Sequence, residues 1–169
     1  MSWDVLVQNY GGNPPAADEL ADAPDPKPLG TADSIRKKID AHLPGVVWSD
    51  ARNGIFDGED YSNEFEIGDE KPIDHVMLNV RGGGDAIAAL VAFAKPNRWS
   101  LFDLSESDFL DLDNPSAAGW EGFQEFRDRA IPASARRRAE PALKAKRPRN
   151  PASKKSKAKP KGGRRPKKA

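Results

Sequence analysis

The stretch Ile73-Asp74-His75-Val76-Met77-Leu78-Asn79-Val80-Arg81-Gly82-Gly83-Gly84-Asp85-Ala86-Ile87-Ala88-Ala89-Leu90-Val91-Ala92-Phe93-Ala94 changes its period in the middle. In the first half Val76, Leu78 and Val80 alternate with His75, Met77 and Asn79, the two-residue repeat of a strand with one face in a core. Past the glycines, Ile87, Leu90, Val91 and Ala94 follow the i, i+3, i+4, i+7 repeat of an amphipathic helix, with Asp85 placed to cap it. Lys95-Pro96-Asn97 closes that helix. A strand running into a helix through a glycine turn is thus the unit around which the rest is arranged.

Upstream, Tyr61-Ser62-Asn63-Glu64-Phe65-Glu66-Ile67 puts Tyr61, Asn63, Phe65 and Ile67 on one face and leaves Glu64 and Glu66 to water. Val46-Val47-Trp48 and Gly54-Ile55-Phe56 are shorter extended runs. Before them Ile35, Ile39 and Leu43 form a helical stripe, capped by Thr31, favoured by Asp33 in the first turn and stopped by Leu43-Pro44-Gly45. The first strand is Trp3 to Tyr10: Trp3, Val5 and Val7 share a face, and Leu6 between them predicts burial on both sides. Gly11-Gly12-Asn13-Pro14-Pro15 opens a long loop, stiffened by Pro24, Pro26 and Pro28, that runs to Gly30.

Downstream, Trp99 to Leu104 and Asp108 to Leu112 read as a last strand or hairpin. A third helix from near Pro115-Ser116 presents Trp120, Phe123, Phe126 and Ala130 before Ile131-Pro132. The order β-α-β-β-β-α-β-α predicts an α+β fold: a mainly antiparallel sheet with two to three helices packed on it, ferredoxin-like or a related two-layer sandwich, with an extra hairpin and a terminal helix.

Charge divides the 169 residues sharply. Residues 136–169 hold 16 of the 27 basic side chains and one of the 26 acids, Glu140, so that an acidic body of charge −14 carries a basic tail of charge +15. All 13 aromatics precede residue 136, and the tail has Leu143 as its one large aliphatic residue. Such a segment cannot bury enough apolar area to offset the entropy of ordering it. The expected organisation is a globular domain over 1–131 and a disordered basic tail over 132–169. With no cysteine there is no disulfide framework, Cys-ligated zinc or thiol nucleophile, and two histidines do not make a His-rich metal site. The N-terminus lacks a basic segment and a long apolar run, and no stretch is long enough to span a membrane, so a cytoplasmic location is expected.

Met1-Ser2-Trp3-Asp4-Val5, Leu43-Pro44-Gly45-Val46 with Trp48-Ser49-Asp50, Asn79-Val80-Arg81-Gly82-Gly83-Gly84-Asp85-Ala86 and Asp108-Phe109-Leu110-Asp111-Leu112 together resemble a family of small, mostly uncharacterised bacterial proteins. The likeness covers most of residues 1–131. It implies a cytosolic α+β domain and, as for some small acidic bacterial proteins, an immunity-like role against a toxin; it carries no catalytic set. Lys154-Lys155-Ser156-Lys157-Ala158-Lys159-Pro160-Lys161 is similar in composition to the tails of linker histones and bacterial histone-like proteins.

The tail gives the candidate nucleic-acid contacts: Arg136, Arg137, Arg138, Lys144, Lys146, Arg147, Arg149, Lys154, Lys155, Lys157, Lys159, Lys161, Arg164, Arg165, Lys167 and Lys168. Dense cations on a flexible backbone neutralise phosphates with counterion release, and without aromatics to stack on bases the contact is sequence-tolerant. The bland alternative is a solubilising tail attracted to the acidic body. Within the body, Asp57, Glu59, Asp60, Glu64, Glu66, Asp69, Glu70 and Asp74 crowd one hairpin region beside His75. They lack the spacing of a calcium loop and read as a solvated face. As a docking surface for a basic protein, Asp57, Glu59, Asp60, Glu64 and Glu66 supply the complementary charge. Arg81-Gly82-Gly83-Gly84-Asp85 lacks the Lys-Ser/Thr ending of a phosphate loop and reads as a capped turn. Trp48, Trp99, Trp120, Phe123 and Phe126 read as core, and His75 as a packed residue with no nucleophile to serve. The expectation is a non-enzymatic interaction protein without metal or cofactor, binding a protein partner through its body and DNA or RNA through its tail. The alternatives are a nucleoid- or RNA-associated protein in which the tail is primary, and a divalent-metal enzyme using the acids and His75.

Overall fold

The computed structural model describes residues 1–130. Seven strands form one antiparallel sheet: β1 (Trp3–Gln8), β2 (Val47–Trp48), β3 (Asn53–Asp57), β4 (Tyr61–Ile67), β5 (His75–Gly82), β6 (Ser100–Asp103) and β7 (Asp108–Phe109). Their order is β2-β3-β4-β5-β1-β6-β7. Three helices accompany them, α1 (Ala32–His42), α2 (Ala86–Ala94) and α3 (Ala118–Ala130). Four strands separate α1 from α2, because the two-residue run at Val47 pairs as a strand of its own beside the three expected.

The central order β4-β5-β1-β6 is that of two interleaved split βαβ units. Because β5 lies antiparallel between β1 and β4, and β1 lies antiparallel between β5 and β6, each helix crosses over a strand contributed by the other unit. This is the ferredoxin-like arrangement, extended at one edge by the β2–β3 hairpin and at the other by β7.

Local signals place the helices as expected. Thr31 accepts from the Ser34 amide at 3.2 Å, and Asp85 accepts from the Ala88 amide at 3.1 Å, so each side chain satisfies a donor that the first helical turn leaves free. Ile35 and Ile39 of α1, Ile87, Leu90 and Phe93 of α2, and Trp120 and Phe123 of α3 join Trp3, Val5, Val7, Phe65, Val76, Leu78 and Val80 in one hydrophobic core. Aromatic rings thread it: Trp99, Phe93, Phe65 and Trp48 follow one another at centroid separations of 6.4, 5.7 and 6.0 Å. Trp48 lies against Gly54 so closely that a Cβ there would sit 2.6 Å from its ring, which is why a residue without a side chain stands second in β3. At the other end Trp120 packs between Trp3 (5.6 Å) and Phe123 (5.4 Å). Gly119 allows this approach, because any side chain there would run into the Asp103 carboxylate.

Two core expectations are corrected. Leu6 is only half-buried, because all the buried residues of the helices belong to the face that carries Val5 and Val7. Phe126 is 54% exposed and Ala130 is exposed, because Trp120 and Phe123 already fill the seam and the helix turns its next residues to solvent. Among the described residues no helix is long and apolar enough to cross a membrane.

A sheet with one buried face makes a direct prediction. Leu78→Ala leaves a cavity in the core and is expected to cost about 2–5 kcal/mol in denaturant unfolding, whereas Leu6→Ala, one strand over on the opposite face, is expected to cost about 1 kcal/mol or less.

Candidate functional site

Among the described residues no helix covers the second face of the sheet. It is built from the alternate residues of the same strands, and the register gives its rows directly. One row runs Asn53, Glu66, Met77, Leu6, Phe102, Phe109 across β3, β4, β5, β1, β6 and β7. The neighbouring row runs Val47, Ile55, Glu64, Asn79, Asp4. A third holds Asp57, Ser62 and Arg81 near the β3–β4 tip.

The five acids singled out as a docking surface fall on this face and its rim. Asp57 ends β3, Glu59 and Asp60 form the exposed turn, and Glu64 and Glu66 project from β4. Glu64 pairs with Arg81 across the β4–β5 ladder, and Asn79 donates to Glu66 at 3.4 Å. Asp4 adds a further carboxylate, one of whose oxygens is buried without a protein partner. Asp69, Glu70 and Asp74 do not join them. They lie past the far end of β4, beyond Glu66, which is itself about 20 Å from the Glu59–Asp60 turn at roughly 3.4 Å per residue, so a cluster dense in sequence is strung out along the strand. Among the described residues no three acidic or histidine side chains converge to hold a metal ion. His75 lies on the open face opposite Gln8, its Nδ1 2.6 Å from Asp74 Oδ1, with the side chain 38% exposed rather than packed in the core.

The Arg81–Asp85 loop spends its polar groups internally. The Gly83 amide donates to Asp60 O at 2.7 Å, Gly84 O accepts from Trp120 Nε1 at 2.9 Å, and the Asp85 carboxylate occupies the helix end where an anion would sit. The sixteen basic residues from Arg136 to Lys168, and the expectation of a disordered tail, lie outside the described residues.

Sequence reading missed the apolar part of the open face. Leu6, Met77, Phe102 and Phe109 are all half-buried, and none belongs to the core or packs against it. Phe102 and Phe109 meet edge to face at 5.0 Å, and Tyr10 meets Phe109 in the same way at 5.5 Å. Partial burial, followed by the charge of Asp25, pushes the Tyr10 hydroxyl above its ordinary range, so it stays a neutral donor beside the row. A second apolar feature is a groove of about 410 Å³ beside α3, where Leu104, Phe123 and Phe126 surround Gly119, Gly122 and the edge of Trp3.

The β2–β3 hairpin that presents Val47 and Ile55 is tied by Asp50. Its carboxylate accepts from the Arg52 amide at 2.7 Å, the Asn53 amide at 2.8 Å and the Asn53 side chain at 2.9 Å, and these bonds hold it below the usual carboxylate range. A depressed folded-state value contributes stability above the unfolded value and loses it as pH falls through the folded one. Acid titration of amide signals in residues 49–53 should show this turn loosening below the ordinary aspartate range, and Asp50→Asn should remove that pH dependence. Compared with protein-family models, with curated proteins and with solved structures, the chain matches none, so the reading of its function rests on this surface and on the charge of the chain.

Proposed function

We propose that this chain is a non-enzymatic interaction protein. Its acidic domain docks a basic protein partner through Asp57, Glu59, Asp60, Glu64 and Glu66, and its basic tail makes sequence-tolerant contacts with DNA, RNA or another polyanion. The observation that carries the reading is the placement of these carboxylates along one sheet face and its rim, which no described helix covers, and where the neighbouring cation Arg81 is already committed to Glu64. Complementary potential of this kind raises association rate and excludes acidic partners. An immunity-like role against a basic toxin is one form of the same chemistry.

The tail belongs to the reading through charge alone. Sixteen cations in 34 residues favour phosphate contact by counterion release. The body, at −14, repels the same polyanion, so the tail serves as a tether while the body selects the partner.

Two measurements test the halves separately. Anisotropy of labelled duplex DNA with the full chain should give log affinity falling linearly with log salt, and replacing the tail's Lys and Arg by Gln should abolish binding; a salt-independent affinity would contradict the tether. For the body, crosslinking in cells followed by mass spectrometry should recover a basic protein. The combined variant Asp57→Asn, Glu59→Gln, Asp60→Asn, Glu64→Gln, Glu66→Gln should lose it, and undiminished recovery would remove the acidic face from the account.

A further inference from the structure

Apolar side chains scattered over a surface need no explanation, whereas a contiguous row does. On the open face Met77, Leu6, Phe102 and Phe109 are successive cross-strand neighbours, so they form an unbroken apolar row over β5, β1, β6 and β7. At about 4.8 Å between strands the row is about 14 Å long. Its ionisable neighbours are Glu66, in line with it, Asp4 and the Arg81-paired Glu64 in the adjoining row, and the Asp74-paired His75 on the other side.

These charges decide between occupants. A second copy would present the same acids, Asp4 and Glu66, with Arg81 already paired to Glu64, and so would offer this face no complementary charge. A partner with an apolar stripe flanked by Lys and Arg meets both parts of the surface. An α-helix fits the row's dimensions. Side chains at i, i+3 or i+4, and i+7 recur about every 5–6 Å, close to the strand spacing, and about ten residues at 1.5 Å each span 14 Å.

We infer that the Met77–Leu6–Phe102–Phe109 row seats the apolar stripe of a basic amphipathic helix contributed by the protein partner. The inference rests on the basic-partner reading above and gives it a binding mode: the acids orient and accelerate docking, and the apolar row supplies the buried anchors. A helix laid there would add a layer to the face that the described helices leave open.

The test uses the full chain and two synthetic peptides of equal length and equal Lys/Arg content. One carries Leu at i, i+4, i+7 and i+11, and the other carries Ala at those positions. Titrated into isotope-labelled protein, the leucine peptide should shift amide signals of β5, β1 and β6 and bind at least tenfold more tightly than the alanine peptide. Met77→Asp should reduce its affinity about tenfold at unchanged thermal unfolding. The wild-type comparison of the two peptides stands even where a variant fails to fold. Equal affinities for both peptides, lost in Glu64→Gln/Glu66→Gln, would overturn the apolar seat while leaving charge-driven docking intact. Shifts centred on Gly119, Gly122 and Phe126 would overturn it by placing the helix in the α3 groove. No binding of either peptide, in wild type or variants, would overturn both readings.

Discussion

The structure depends on the alternation of β1. Trp3, Val5 and Val7 are buried to within about 1% while Asp4, Leu6 and Gln8 point the other way, and the strand is hydrogen-bonded on both sides, to β5 and to β6. A one-residue slip in either ladder would exchange the two sets and put Asp4 under the helices. Register at the centre of the sheet therefore fixes which residues the helices cover and which residues face outward. The core and the open face are two consequences of one constraint.

That constraint also explains why the open face is mixed in character. The acids reach it from β4 and β1 because those positions alternate with Asn63, Phe65, Trp3 and Val5. The apolar row reaches it because Leu6, Met77 and Phe102 occupy the same parity on three neighbouring strands. A purely solvated face has no use for the second set, and a purely structural one has no use for the first. Their combination is what the proposed docking of a basic partner draws on, with long-range charge for selection and short-range burial for holding.

Much of the architecture is legible along the chain because its signals are local. The caps at Thr31 and Asp85, the alternation over residues 73–80 and the stripe Ile35–Ile39–Leu43 each depend on residues within two turns or one strand. Strand order does not, since β1 meets partners about 70 and 95 residues away, and only the two split βαβ crossovers decide it. Leu6 shows the limit on burial. An apolar residue between two core residues looks the same whether the second face is covered or bare. Phe126 shows another, because helical spacing places it near Phe123 without revealing how many residues the seam can hold. The acids show a third, for eight carboxylates close in sequence are separated by the length of β4 once the hairpin forms. In each case the answer lies in the packing or pairing of elements distant in sequence, and not in the local pattern.

The most direct measurement is therefore of that second face. A soluble paramagnetic agent added to methyl-labelled protein relaxes nuclei according to their distance from solvent. Strong broadening of the Leu6 and Met77 methyl signals is expected, with those of Val5, Val7, Leu78 and Val80 spared. Protection of Leu6 and Met77 equal to that of the core methyls would mean that something already covers this face, and would contradict its proposed role as a docking site.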